Sequence, residues 1–266
     1  MLMVLLTALG VGGATVFGAA MGFAFKKVSH AFSDIILSFA AGVMLAAAVV
    51  GLVIPSLEYG GKFGILTTVV GIFVGALCLN LVDKLVPHLH RLSNTECCIG
   101  VTSLDSAAAG SCGDVEKCVK LNKVFLVVSA IAIHNLPEGI AAGVSFGTED
   151  VARALIIAGG IALQNIPEGM IIIGPMLAAG ISPKKTFLIA LGTGMVEVVG
   201  TLLGYFAVTV ATAILPFALA FAGGTMLYVI SDEMIPETHA HGHQRGATYA
   251  LLVGFCLMLA TDVLLG

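Results

Sequence analysis

The sequence predicts an all-α membrane protein whose single chain crosses the bilayer eight times. Three observations carry that prediction. Apolar residues make up 58% of the 266 and charged residues 11%, against about 25% charged in an average globular chain. The charges are confined to short stretches between long uncharged runs, most near the roughly 20 residues a helix needs to span the hydrocarbon. There are 33 Gly, 8 Pro and no Trp, a composition that lets apolar helices approach closely. A soluble domain this poor in charge could not cover its surface, so residues 1–266 read as one transmembrane domain. A net charge of −4 supplies no basic surface and excludes nucleic acid as a partner.

Each span follows from its charges. Residues 1–25 are uncharged, end at Lys26-Lys27 and lack the basic start of a signal peptide, so they read as a retained first helix. Helix 2 occupies the 23 uncharged residues between Asp34 and Glu58, and helix 3 the 20 between Lys62 and Asp83. A polar segment, 84–123, reads as a loop between helices 3 and 4. Helix 4 lies in 124–148, interrupted only by Glu138, and helix 5 in 154–183, interrupted only by Glu168. The run 186–231 holds 46 residues and one charge, Glu197. As one helix it would measure about 69 Å, too long for one crossing. It must fold back, near 209–216, with Pro216 as the breaker. Helix 8 runs from 246 to the end with only Asp262.

Eight spans place both termini on one side. If that side is outside, Lys26, Lys27, Lys84, Arg91, Lys117, Lys120, Lys123, Lys184, Lys185 and Arg245 fall inside, and only Lys62 and Arg153 outside. Ten against two predicts both termini outside and 84–123 in the cytoplasm. Six of the seven His then face the cytoplasm, and His134 alone lies within a span. A repeat also shows: Ala41-Gly42 precedes Ile54-Pro55 on helix 2 as Ala222-Gly223 precedes Ile235-Pro236 on helix 7. The two helices run in opposite directions, as in inverted-repeat transporters.

The chemistry is concentrated in two hexapeptides. Helix 4 carries His134-Asn135-Leu136-Pro137-Glu138-Gly139, and helix 5 carries Gln164-Asn165-Ile166-Pro167-Glu168-Gly169. Positions i and i+4 share a helix face, so His134 points with Glu138 and Gln164 with Glu168. Asn135 and Asn165 can border the same cavity. Each Pro lacks an N–H and frees the carbonyl four residues earlier. Helix 6 adds Glu197, flanked by Thr193 and Thr201, and helix 2 adds Met44 as a soft thioether. One acidic residue at mid-membrane costs roughly 2.5–3.5 kcal/mol. Three unpaired would cost on the order of 7–10 kcal/mol, against a usual net stability of about 5–15 kcal/mol. No Lys or Arg lies at that depth. A divalent cation would offset the cost; protonated Glu and amides merely bonding between helices is the bland alternative. Imidazole, carboxylate and amide donors suit zinc, iron(II), manganese or cadmium. Magnesium would prefer oxygen donors and retained waters.

These residues resemble the ZIP (Zrt-, Irt-like protein) divalent metal transporters, bacterial type. HNLPEG (134–139), QNIPEG (164–169), AAGVMLAA (40–47), SDEMIPETHAHGH (231–243) and the eight-span plan carry the resemblance across most of the chain. It implies helices 1–3 and 6–8 as inverted repeats around helices 4 and 5, with flow into the cytosol. It also implies a binuclear metal centre. One position would use Met44, His134, Glu138, Gln164 and Glu168; the other Asn135, Glu138, Asn165, Glu168 and Glu197. Many members carry His where Gln164 stands, and some Asp where Asn165 stands. The neutral Asn165 lowers the charge of the second position.

Asp232, Glu233, His239, His241 and His243 crowd the inner end of helix 7 and read as a cytoplasmic exit site, against the plainer reading of a hydrophilic loop. The 84–123 segment holds His88, His90, Cys97, Cys98, Cys112 and Cys118 without a CxxC pair, so its spacing fits no standard zinc module. Cytosolic thiols stay reduced, and disulfides are not expected. Asp262 and Glu58 near the outer end would steer cations inward, against the plainer reading that carboxylates at helix ends are ordinary.

The function expected is therefore a divalent metal transporter of the cell membrane, a multi-pass protein of the bacterial inner membrane working by alternating access. It is not read as an enzyme. The metal, zinc first, is transported substrate rather than cofactor. Partners expected are divalent metal ions and the lipid bilayer, with a homodimer as the assembly considered. Two other classes compete. A proton-linked cation antiporter would use the same carboxylates. An intramembrane metalloenzyme usually shows H-E-x-x-H, which is absent.

Overall fold

The computed structural model describes the backbone of residues 1–24, 29–102, 112–148 and 150–265, and their side chains outside 86–127 and residue 130. The described residues contain no strand. They form long helical segments: α1 Leu2–Ala24, α2 His30–Tyr59, α3 Gly64–Thr102, α4 Cys112–Ser145, α5 Val151–Ala178, α6 Pro183–Val210, α7 Thr212–Thr238 and α8 Gln244–Leu265. Seven, all except α4, combine the length and hydropathy a bilayer crossing needs. Helical backbone reaches into the segment expected as a loop from both sides, to Thr102 and from Cys112. The His and Cys side chains of 84–123 lie outside the described ones.

The long apolar run breaks where its length demanded. The helix stops at Val210, Ala211 takes a non-helical conformation (φ −135°, ψ 77°), and a 3₁₀ turn, Thr212–Ile214, starts α7. Pro216 is not the breaker. It sits in the first turn of the α-helical part beginning at Leu215, where its missing N–H would be unpaired anyway.

The two Ile-Pro dipeptides share a local device. α2 is π-helical over Ala47–Val53, immediately before Ile54-Pro55, and α7 is π-helical over Ile230–Met234, immediately before Ile235-Pro236. A proline inside a helix removes one backbone bond and crowds the preceding turn; a widened turn absorbs both. Accordingly the Ile54 N–H donates to the Val49 carbonyl and that of Ile235 to the Ile230 carbonyl, both five residues back.

Packing then sets the depth of the polar residues. α1 lies on α5 and α6, α4 lies on α6, α2 on α8, and α3 on α7. At two points the backbones nearly touch. A Cβ on Gly139 would strike the Glu197 carbonyl, and one on Gly169 the Thr15 carbonyl. The glycine closing each hexapeptide therefore seats α4 at the level of Glu197 and α5 at the level of Thr15. Around them the core is built mainly of small and aliphatic side chains, Ala40, Ala41, Ala47, Ala48, Leu52, Ile157 and Ile161 among them.

Candidate metal centre

Pro137 and Pro167 lie inside unbroken helices, so each hexapeptide keeps its helical spacing through the core. Glu197 is the hub. Its Oε1 accepts from Thr15 Oγ1 at 2.5 Å and from Asn135 Nδ2 at 2.5 Å, and its Oε2 accepts from Asn165 Nδ2 at 2.7 Å. Four helices, α1, α4, α5 and α6, are joined at one carboxylate, and all four side chains are buried. Beside Asn165 in sequence, Gln164 Nε2 donates to Glu138 Oε1 at 2.8 Å, joining α5 to α4.

These bonds leave a one-sided residue of polarity. Both asparagines spend their NH₂ groups on Glu197 and on the carbonyls of Thr193 and Val11. Gln164 spends its own on Glu138. The atoms left buried without a partner are Asn135 Oδ1, Asn165 Oδ1, Gln164 Oε1 and Glu138 Oε2. All four are acceptors. A buried polar atom without a partner costs about 1–3 kcal/mol, and no donor among the described side chains serves these. These are oxygen donors of the kind a divalent metal takes. Glu168, half-buried, stands one turn beyond Gln164, and Met44 is fully buried in the core.

A family model for the ZIP zinc transporters matches residues 1–262. The chain belongs to the ZIP family. It is 40% identical over 221 residues to the zinc transporter GufA of Myxococcus xanthus, covering 81% of this chain and 80% of that one. It is 34% identical over 266 residues to the zinc transporter ZIPB of Bordetella bronchiseptica, covering 95% and 78%. The zinc transporter ZupT of Chlorobaculum parvum is 35% identical over 265 residues, covering 96% and 94%.

In this ZIP chain His134 belongs to a second group. Its Nε2 lies 2.8 Å from Glu233 Oε1, and ligand atoms of Asp83, His134 and Glu233 all fall within 4.8 Å of one another. The shared face with Glu138 holds as helix geometry, but the long imidazole reaches across to α7 and α3. The set grouped by sequence as an exit site is thus divided. Glu233 joins Asp83 and His134. Asp232 Oδ2 accepts from Tyr228 OH at 3.2 Å, and that hydroxyl accepts from Asn80 Nδ2 at 2.6 Å. His239 uses one ring nitrogen on the Ile235 carbonyl, at 2.8 Å, and the other on Thr248 Oγ1, at 3.1 Å. His241 Nδ1 lies 3.1 Å from Asp34 Oδ1, and His243 is exposed. Alternating His would converge only on an extended chain. Here α7 ends at Thr238 and the chain turns at Gly242, φ +88°.

Sequence reading missed Thr15, Asp83 and Asp34. The two Asp were taken as span ends, because a charge beside an apolar run looks interfacial. Thr15, one of two hydroxyl-bearing residues in 1–25, was the available signal on helix 1. At the other end of the ZIP bundle, Arg153 Nε lies 3.7 Å from Asp262 Oδ1, so the carboxylate expected to steer cations is engaged by a guanidinium.

Proposed function

We propose that this ZIP chain carries zinc across the cell membrane into the cytosol by alternating access. The observation that carries the reading is the group of four buried acceptor oxygens with no donor, gathered around Glu138 and Glu197. The relatives bearing the name zinc transporter support the choice of metal. A binuclear centre follows: Glu138 and Glu168 bridge one position completed by Met44, His134 and Gln164 and a second completed by Asn135, Asn165 and Glu197. His134 is the hand-over residue. It shares a helix face with Glu138, and in this structure its ring meets Asp83 and Glu233. An ion passes from the centre to that triad on the way out.

Eight crossings arranged as inverted repeats complete the proposal, with α1–α3 equivalent to α6–α8 and α4 to α5. Packing supports it: α1 meets α5 as α6 meets α4, and α2 meets α8 as α7 meets α3. Finer contacts agree. Gly169 abuts Thr15 as Gly139 abuts Glu197, Gly18 abuts the Ile166 carbonyl as Gly200 abuts that of Leu136, and Gly12 and Gly194 face each other. Both Ile-Pro dipeptides follow a π-helical turn. Two halves of one design that exchange roles give two access states around a fixed centre.

The reading is tested by zinc accumulation in sealed proteoliposomes. Accumulation above the amount of protein present is expected; zinc bound only in proportion to protein would favour a metalloenzyme. Strict dependence of flux on a pH gradient would favour the antiporter. For orientation, both termini outside in a bacterial inner membrane, Cys112 is the reporter. An impermeant thiol reagent on intact cells should leave it unmodified, and modification would reverse the topology.

A further inference from the structure

At the end of the bundle that the charge asymmetry assigns to the cytosol, a cavity of about 480 Å³ lies between α1, α2 and α5. It runs along α5 from Pro167, the neighbour of Glu168, to Ala178. Its rim holds His30 and Asp34 from α2, Glu237 from the end of α7, and His241 from the loop beyond. Asp34 is only 4% exposed. One of its oxygens meets His241 Nδ1 at 3.1 Å, and the other is buried with no partner. One turn deeper on α2, Ser38 Oγ is also buried and unpartnered. The His30 ring stacks on that of His241, centroids 4.9 Å apart.

Nothing in the transport reading uses Asp34 or His30. A carboxylate this buried, met by one imidazole through one oxygen, has capacity to spare. The Asp34–His241 spacing is also that of two ligands on one ion, since an edge of a tetrahedral zinc site with bonds of about 2.0 Å measures roughly 3.3 Å. Mixed imidazole and carboxylate donors favour a borderline d-block ion over magnesium or calcium.

We propose that this cavity is a separate divalent-cation site, of the zinc class, with Asp34 and His241 as its ligand pair and water completing the shell, while His30 and Glu237 line the same cavity. The ion bridges the α7–α8 loop to the start of α2, away from the Asp83–His134–Glu233 triad. The site goes beyond the transport reading and is a matter of binding alone.

The test counts zinc by equilibrium dialysis on the purified full chain in detergent. Two backgrounds are compared, the wild type and a Glu138→Gln/Glu168→Gln variant that disables the centre. Asp34→Asn with His241→Ala should remove roughly one tightly held zinc per chain from both backgrounds alike. Unchanged stoichiometry and affinity in both would overturn the site. If the double variant does not fold, the near-isosteric Asp34→Asn alone decides: one class of zinc weakened about tenfold or more supports the site, and an unaltered isotherm rejects it. Zinc uptake that survived in the Glu138→Gln/Glu168→Gln background would sink the central site while leaving this count untouched.

Discussion

Glu138→Ala and Glu168→Ala should each abolish zinc uptake while leaving the protein in the membrane. Glu138 is completely buried, holds the Gln164 amide through one oxygen and offers the other to no protein partner. Truncation removes the charge that bridges the proposed centre and leaves the Gln164 NH₂ group without its acceptor. Glu168 is the second bridging charge of the proposed centre. Losing a supporting partner of a bound metal typically costs 10–100-fold, so losing a bridging ligand should cost on the order of 100-fold or more in uptake. The measurement is initial zinc flux in proteoliposomes at equal incorporated protein. Flux near the wild-type value in either variant would reject the centre.

Gly139→Ala has a comparable effect by a different route. The added methyl would meet the backbone carbonyl of Glu197, and backbone cannot step aside as a side-chain tip can. Either α4 and α6 separate or the helix shifts. Overpacking of this kind costs about 1–3 kcal/mol, and separation also pulls Asn135 off Glu197, where the present bond is 2.5 Å. Lower thermal stability in detergent and loss of uptake are expected together. Gly159→Ala on α5 is the control: its Cβ would meet nothing within 4 Å, and a helical Gly-to-Ala change there should stabilise by roughly 0.5–1 kcal/mol. Equal melting temperatures for Gly139→Ala and wild type would show that the α4–α6 contact yields without cost.

The contrast between the two glycines separates what each level of description can decide. Both stand in similar apolar helices; the place of Gly139 directly after Pro-Glu pointed to a close helix contact, and only the packing shows which carbonyl it meets. The same holds for acidic residues. Glu138, Glu168 and Glu197 stand out in the sequence because each interrupts a long uncharged run, where an unpaired charge is expensive. Asp34 and Asp83 sit at the ends of such runs, where a charge is ordinary. Only the packing of α2 against the loop after α7, and of α3 against α4 and α7, reveals that both are at least partly buried and face histidines.

By itself the sequence determined that this is a helical membrane protein, where its apolar runs lie, that the run 186–231 must fold back, and that two polar hexapeptides interrupt apolar helices. Those conclusions rest on hydropathy, helix rise and the cost of charge in hydrocarbon, all properties of a residue and its near neighbours. The tertiary structure decided which polar side chains meet. It tied Thr15, Asn135 and Asn165 to Glu197, set the His134 ring against Asp83 and Glu233, and sent His239 and His241 to different partners. Hydrogen bonds and metal shells act over about 3 Å between atoms whose residues stand as many as 207 positions apart in the chain, and only the way helices pack can bring such atoms within that reach.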